Sequence, residues 1–590
     1  MALFTPSASP AVTVKEIDLT GVVPNVQTST GAFVGNFGWG PVGEATLVSD
    51  ESGLVSTFSA PTNTNTVDFH SAAYFLRYSN SLYVVREQGS DAKNSAASNT
   101  NKTITQPTYD NLDAFEAATI DSDDGVFIAK YPGQLGDSLR VSMVGSGDSS
   151  GSALNAFNNW AYKGSFDGAT GTSAFATEQG ATNDEVHIAV IDRDGGISGV
   201  PNTVLETFPY VSVASNAKND DGTSNYYKDV LRQQSQWIYA GVAHVGTDSA
   251  GKSDFGGNSN SWGNAATNNV NFATGQVFAD TQSTWDFDGG VTTASIGTTE
   301  IAAGFDKFED VDNIEVDFLI PPELADATSV NTVVNDLVSI AEARKDCVVV
   351  ASPDRAAAVT TNTNAAVKTT GDGFTKSSYL VQDNNYLKVF DKYNDKYIKI
   401  PAASSTAGLM ASTDLVAAPW FSPAGARRGR YLGITDIVVP STKTERDTLY
   451  KAGINPIANI PGQGVMLFGD KTNLARPSAF DRINVRRLFL AIERAIAIAG
   501  RNVMFEFNDE FTRAEFVNIV EPFLREIQGR RGITDFKVVC DETNNTPAVV
   551  DRNEFIASIF IKPARSINYV TLNFVAVRSG VEFEEVVGTV

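Results

Sequence analysis

Cysteine is almost missing: Cys347 and Cys540 are the only two in 590 residues. Two thiols cannot staple a chain this long, and they cannot build a thiolate zinc site. Each lies in an apolar, strand-like context, Asp-Cys-Val-Val-Val and Val-Val-Cys-Asp, where a buried and inert thiol is expected. Such cysteine use fits a reducing cytoplasm better than secretion. Histidine is as scarce, with His70, His187 and His244 in separate segments. No apolar run reaches the roughly 18 residues that a helical membrane span needs. The first residues, MALFTPSASPAVTVKEID, show no basic stretch followed by an apolar one, so no secretory signal peptide is expected.

Positive charge is also in deficit. Lys and Arg number 45 against 69 Asp and Glu, a formal net charge of −24. From residue 401 onward 22 basic residues face 21 acidic ones, so the preceding 400 carry a net −25. An exterior of that sign argues against direct nucleic-acid binding, which needs clustered cations. It keeps a free chain soluble.

What is present is a long, ordinary globular composition, 42% hydrophobic and 10% aromatic, with length for two to four domains. Near the start, Val12, Val14, Ile17 and Leu19 are spaced among polar residues that include Glu16, behind Pro6 and Pro10. This reads as an extended strand with no hairpin partner close by, either a first strand of its own sheet or one added to another subunit. The pattern then predicts a helix over 67–78 and a strand over 81–86, an α/β unit. Residues 89–109 read as a loop, and 139–144 as a strand. The stretch 145–310 is rich in Gly, Ser, Asn and Asp, with short strands at 185–191 and 237–245. It retains Trp160, Trp237, Trp262 and Trp285, which argues for an ordered, β-rich domain with long loops. Residues 311–475 return to α/β order, with a strand at 315–320, a helix at 330–344 and a continuous apolar strand at 347–351.

The C-terminal stretch is the most regular. Ile483, Leu488, Ile492, Ala495, Ile496 and Ala499 recur at helical spacing, with Ser478 as an N-cap and Gly500 as a stop. A second helix opens on Thr512-Arg-Ala-Glu515, a capping-box pattern, and ends at Gly529, with Pro522 expected to kink it. Strands follow at 536–540, 555–561 and 567–577, so this part is α+β with an antiparallel sheet. Val581, Phe583, Glu585, Val586 and Val587 form a last strand-like segment beyond Gly580.

Motifs that resemble reactive sites break down on inspection. Gly464-Val-Met-Leu-Phe-Gly469-Asp470-Lys471-Thr472 approaches a phosphate-binding loop, but Asp470 stands where lysine is required. Gly147-Asp-Ser149-Ser-Gly151 fits a nucleophile elbow but is followed by a poor helix start. Asp121-Ser-Asp123-Asp124-Gly125 and Asp192-Arg-Asp194-Gly195 lack the full calcium-loop register, and turn chemistry explains them. No catalytic, cofactor or metal residues are assigned. The basic cluster Arg482, Arg486, Arg487 and Arg494, with Arg427, Arg428 and Arg430 upstream, is either a solvated helix face or a docking face for an acidic partner.

Three long words carry a family resemblance: Asp481-Arg-Ile-Asn-Val-Arg-Arg-Leu-Phe489, Val538-Val-Cys-Asp-Glu-Thr-Asn-Asn-Thr-Pro547 with Asp551-Arg-Asn-Glu-Phe555, and Pro563-Ala-Arg-Ser-Ile-Asn-Tyr-Val-Thr-Leu-Asn-Phe574. They resemble the C-terminal domain of contractile, T4-type phage tail sheath proteins. Gly38-Trp-Gly-Pro-Val-Gly43, Leu82-Tyr-Val-Val-Arg86, Asp391-Lys-Tyr-Asn-Asp395 and Trp420-Phe-Ser-Pro-Ala-Gly425 are similar to earlier parts of that family. T4-type sheaths carry a protruding domain near 89–109, which the resemblance implies is reduced or missing here.

The resemblance implies a multidomain α/β and α+β chain. Its parts are an N-terminal arm (1–20), a discontinuous α/β domain (21–144 with 311–475), a β-rich outer domain (145–310), a tube-facing α+β domain (476–580) and a C-terminal arm (581–590). It implies six-fold helical polymers around a tail tube, with baseplate and tail terminator partners, no enzyme activity, no nucleic-acid or membrane insertion, and a place in the virion after assembly in the bacterial cytoplasm. The arms, Val12 to Leu19 and Val581 to Val587, are then donated to neighbouring copies, and the arginines of 482–494 face the tube. The sheath of a bacteriocin particle or secretion system is the near alternative. A loop-rich hydrolase or lectin is the distant one.

Overall fold

The computed structural model describes residues 28–97, 104–120, 123–145, 157–242, 262–272 and 284–568. The two terminal strand segments, the elbow-like Gly147–Gly151, His244 and most of the strand expected at 567–577 lie outside these residues. The chain divides into two compact units, a larger one of Gln27–Val416 with Pro423–Asp481, and a smaller one that joins Ala417–Ser422 to the residues from Arg482 onward.

The larger unit is built on a seven-stranded sheet. Its order is Ile454–Asn455, Leu380–Asp383, Val348–Ala351, Phe318–Ile320, Gly31–Gly35, Leu82–Arg86, Ala45–Val48. The first six run parallel and the last closes the edge antiparallel. The unbroken apolar run Val-Val-Val-Ala is what a strand covered on both faces requires, and Val348–Ala351 is buried at every position.

Helices cover the two faces. Ala327–Arg344 packs Val333, Val334, Leu337 and Ala341 into one core with Ala32, Leu319 and Val349. It starts three residues before the apolar pattern because Asp326 accepts from the amides of Thr328 and Ser329. On the other face Thr66–Leu76 and Ala403–Val416 pack together. Gly408 is needed there: a Cβ would lie 2.4 Å from the Tyr78 ring.

A four-stranded antiparallel sheet, ordered Thr284–Asp286, Leu139–Gly145, Glu185–Asp192, Thr203–Ser212, forms the β-rich region. Leu139–Gly145 thus belongs to this sheet and not to the parallel one, so the β-rich region begins before residue 145. Of the strand expected at 237–245, the described part is Ile238–Ala240. The glycine-dense segment after Gly31–Gly35 reaches into this core through Trp39, whose ring lies 5.4 Å from Tyr131 and 5.2 Å from Trp237. Arg86 ties the crossing. It is fully buried and donates from Nη1 to Gly40 O at 2.7 Å and from Nη2 to Pro132 O at 2.6 Å. Burial pushes its guanidinium down to about 10.

Candidate assembly surface

The smaller unit begins with the helix Ile483–Arg501. Ser478 does not cap it. Its hydroxyl accepts from Phe480 N (3.3 Å) at the one-turn 3-10 helix Ala479–Asp481, and Arg482 occupies the N-cap position without capping the helix through its side chain. Gly500 lies inside the last turn and not after it. The second helix, Glu510–Gly529, starts earlier than the Thr512 pattern because Asp509 accepts from Thr512 N at 2.8 Å. It runs through Pro522, which sits on the exposed side. Phe516, Val520, Leu524 and Ile527 join Leu488, Ile492 and Ile533 in one core.

Two antiparallel strands complete the described part, Ile533–Val539 and Ser558–Pro563. They sit a few residues from the expected 536–540 and 555–561 because the connection carries a short helix, Pro547–Val550. Asn545 latches that connection: its Nδ2 donates to Ile556 O (2.8 Å) and its Oδ1 accepts from Ile556 N (2.9 Å). Asn544 Nδ2 donates to Ser558 Oγ at 2.7 Å. These asparagines of the 538–547 word are therefore structural. Sequence reasoning missed that Trp420 belongs here. Its indole donates to Arg530 O (3.1 Å), the Arg530 guanidinium stacks over it at 5.0 Å, and Asn484 Nδ2 donates to Trp420 O at 3.4 Å.

The strand pair is poorly covered. Among the described residues neither strand has a second neighbour. An apolar groove of about 1130 Å³ runs beside them, lined by Phe489, Ile492 and Ile496 of the first helix and by Ala557, Ile559 and Ile561. The loop that rims it, Val503 to Asn508, exposes Met504, Phe505 and Phe507. Phe505 is wholly exposed and held at φ 70°, a left-handed conformation that a bulky side chain seldom adopts. Phe511 is 76% and Phe560 60% exposed. A monomer gains nothing from this much bare aromatic surface, which is the mark of an interaction site.

The arginine cluster is not a solvated face. Arg486 and Arg487 are buried, at 7% and 5% exposure, whereas Arg482 and Arg494 are half-buried. All four engage other groups of the chain. Arg428 and Arg430 lie in the larger unit, in another part of the sequence division.

The described residues of the reactive-looking motifs have structural tasks. Gly464–Leu467 pairs antiparallel with Ile457–Ile460 and is not followed by a helix at the lysine, and Lys471 Nζ donates to Tyr450 O at 2.9 Å. Asp192 accepts from the amides of Gly195, Ile197 and Ser198 and from Ser198 Oγ, so its own turn saturates it. His187 is fixed between Gly168 O (2.8 Å) and Tyr210 N (3.1 Å), and burial lowers its pKa. His70 bonds Thr66 O and lies 3.6 Å from Asp391. Among the described residues no cluster of three or more His, Cys, Asp or Glu could hold a metal, and no helix is long and apolar enough to cross a membrane.

Comparison with known proteins accounts for this arrangement. Residues 294–473 match the phage tail sheath protein central domain, and 475–576 match the phage tail sheath C-terminal domain. The chain is 32% identical to the tail sheath protein of Enterobacteria phage T4, over 98% of this chain and 99% of that one. It is 30% identical to that of Vibrio phage KVP40 (98% and 99%) and 32% identical to that of Salmonella phage ViI (99% and 98%). The crystal structure of a sheath tail protein from Listeria innocua shares the fold, with a TM-score of 0.50 at 11% identity over 91% of this chain and 96% of that one. This chain belongs to the phage tail sheath protein family.

Proposed function

We propose that copies of this chain polymerise into six-fold rings stacked as a helical sheath around a tail tube, and that contraction of the sheath drives the tube through the host envelope for genome delivery. The observation that carries this reading is the end-to-end relationship to the T4 tail sheath protein. All three relatives named above come from phages, which favours a virion over a bacteriocin or secretion particle. The protein is structural, not catalytic. Its partners are other copies of itself, a tail tube protein, and baseplate and terminator proteins. It assembles in the bacterial cytoplasm and ends in the virion.

Val12, Val14, Glu16, Ile17 and Leu19 form one arm, and Val581, Phe583, Glu585, Val586 and Val587 the other. Each lays its backbone along an open edge of the strand pair in a neighbouring copy and its apolar side chains into the groove. Support comes from the edges that no other described strand pairs and from the exposed Phe505, Phe507 and Phe560 around them. Arg482 and Arg494, the less buried of the cluster, face the tube, with Arg486 and Arg487 holding the helix from within. Rigid units that pivot while such strands stay paired let a lattice contract without coming apart.

Electron microscopy of the purified protein, alone and with a tail tube added, tests the reading. Hollow tubes with a regular ring repeat are expected. Discrete particles that persist with the tube present would contradict it.

A further inference from the structure

The larger unit carries a second opening, remote in sequence from the strand pair. A cleft of about 630 Å³ is lined by Lys368, Lys376, Lys451, Lys471 and Arg476, against Asp372 and Asp481. Five cations face two carboxylates there, a local positive excess in a chain of net charge −24. Three of the cations have internal duties. Lys368 pairs with Asp372 at 2.5 Å. Lys376 donates to Gly371 O (3.1 Å) in the last turn of the helix Asn364–Asp372, and Lys471 donates to Tyr450 O (2.9 Å) in the last turn of Lys443–Lys451, where cations stabilise bare carbonyls. Lys451 and Arg476 have none. Both are exposed, and among the described residues neither enters an ion pair.

We infer that this cleft is a docking site for a carboxylate-bearing segment of a second copy of this chain, gripped by Lys451 and Arg476. The inference rests on the sheath reading, because it needs copies packed against one another. Charge complementarity selects the occupant: the acidic excess before residue 401 is carried by every copy. A half-enclosed cleft lined with like charge repels further cations and favours an entering carboxylate more than a flat surface would. Arg476 offers a guanidinium that can take a carboxylate through two bonds, and Lys451 adds a point charge. Lys376 and Lys471 contribute to the field without leaving their carbonyls. A contact of this kind sets the speed and register of assembly more than its final strength.

The test uses the full chain. Lys451→Glu with Arg476→Glu reverses the site, and Lys451→Gln with Arg476→Gln neutralises it. Circular dichroism is expected to show wild-type folding for both, since both side chains are exposed. Tube formation followed by light scattering at about 0.1 M salt is expected to slow about tenfold on reversal, with a smaller slowing on neutralisation and a weaker dependence on added salt. Wild-type rates and salt dependence in both variants would overturn the inference.

Carbodiimide coupling, which joins amines to carboxylates in contact, supplies the second readout. In tubes grown from equal amounts of ¹⁴N and ¹⁵N protein, Lys451 is expected to couple to Asp or Glu in mixed-isotope pairs. Coupling confined to same-isotope pairs would overturn the inference. If wild-type protein makes no tubes even with a tail tube added, the sheath reading falls and this inference with it. Wild-type tubes beside an unaffected reversal variant would sink this inference alone.

Discussion

Two sheets made of similar residues end in different states. Val348–Ala351 of the larger unit is buried at all four positions, with a partner strand on each side and helices over both faces. In the smaller unit, Ile533–Val539 has one buried residue of seven and Ser558–Pro563 has none. Both of these strands are rich in Ile, Val and Phe. Composition therefore accounts for their being strands but not for their being uncovered. One sheet is closed within its own chain. The other, among the described residues, has no further strand beside either member and keeps a groove of about 1130 Å³ and a rim of bare phenylalanines. In a family of sheath proteins, we take the second state for a fold that neighbouring copies finish, as proposed above.

Removing the arms should break the comparison most completely. Deletion of residues 1–20 is expected to leave a folded monomer that forms no tubes, as judged by circular dichroism and electron microscopy. Tubes of normal length would refute the assigned arm. Next in size is the contrast between a closed and an open site. Leu319→Ala, in the buried parallel sheet, should cost about 2–5 kcal/mol in denaturant unfolding of the monomer. Phe505→Gly should leave monomer stability within about 1 kcal/mol of wild type, because it removes an exposed ring and relieves a left-handed backbone. It should nonetheless impair assembly. Equal monomer losses at both sites would erase the distinction. A smaller loss of stability, read by the same denaturant unfolding, is expected from Asp509→Ala, which removes the cap of the second C-terminal helix.

A further prediction separates the units by pH. Burial pushes Asp383 of the larger unit up to about 7, against bonds from Ser352, Asn385 and Thr406. The folded state then holds a proton that the unfolded state, near 3.8, releases. Its contribution to stability is full below about pH 4 and is lost as pH rises through about 7. Buried His70 and His187, both lowered mainly by burial, act the other way below about 6.5. The clean readout is thus a difference: the stability of wild type relative to Asp383→Asn should fall between pH 4 and 7. A flat difference would contradict it. Carboxylates of the smaller unit shift down, Asp509 through the Thr512 amide, Asp541 through Thr543 and Glu554 through Arg552, so that unit should keep its stability across the same range.

Much of the fold was legible because long apolar patterns leave little choice. The helices at 327–344, 483–501 and 510–529 and the strands at 82–86, 185–192 and 348–351 follow from periodicity. Their ends were less legible: Asp326 starts one helix three residues before its apolar pattern, Arg482 stands at the N-cap expected of Ser478, and Asp509 takes the cap expected of Thr512. Burial of charge was not legible at all. Arg486 and Arg487 lie on a helix whose spacing allows a solvated face, and only tertiary packing puts them inside. The same holds for Trp420, which joins a core more than 60 residues away in sequence, and for the groove, which exists only where helix, loop and strand converge. Assigning the surface therefore needed the packed structure, while the family needed only the sequence.

Hydrogen exchange measured on the monomer and on assembled tubes tests the central claim most directly. Amides of Ile533–Val539 and Ser558–Pro563 should gain strong protection on assembly, while those of Val348–Ala351 should be protected equally in both states. Equal protection of the C-terminal strands in monomer and tube would mean that the chain closes this sheet by itself, and the account would be wrong.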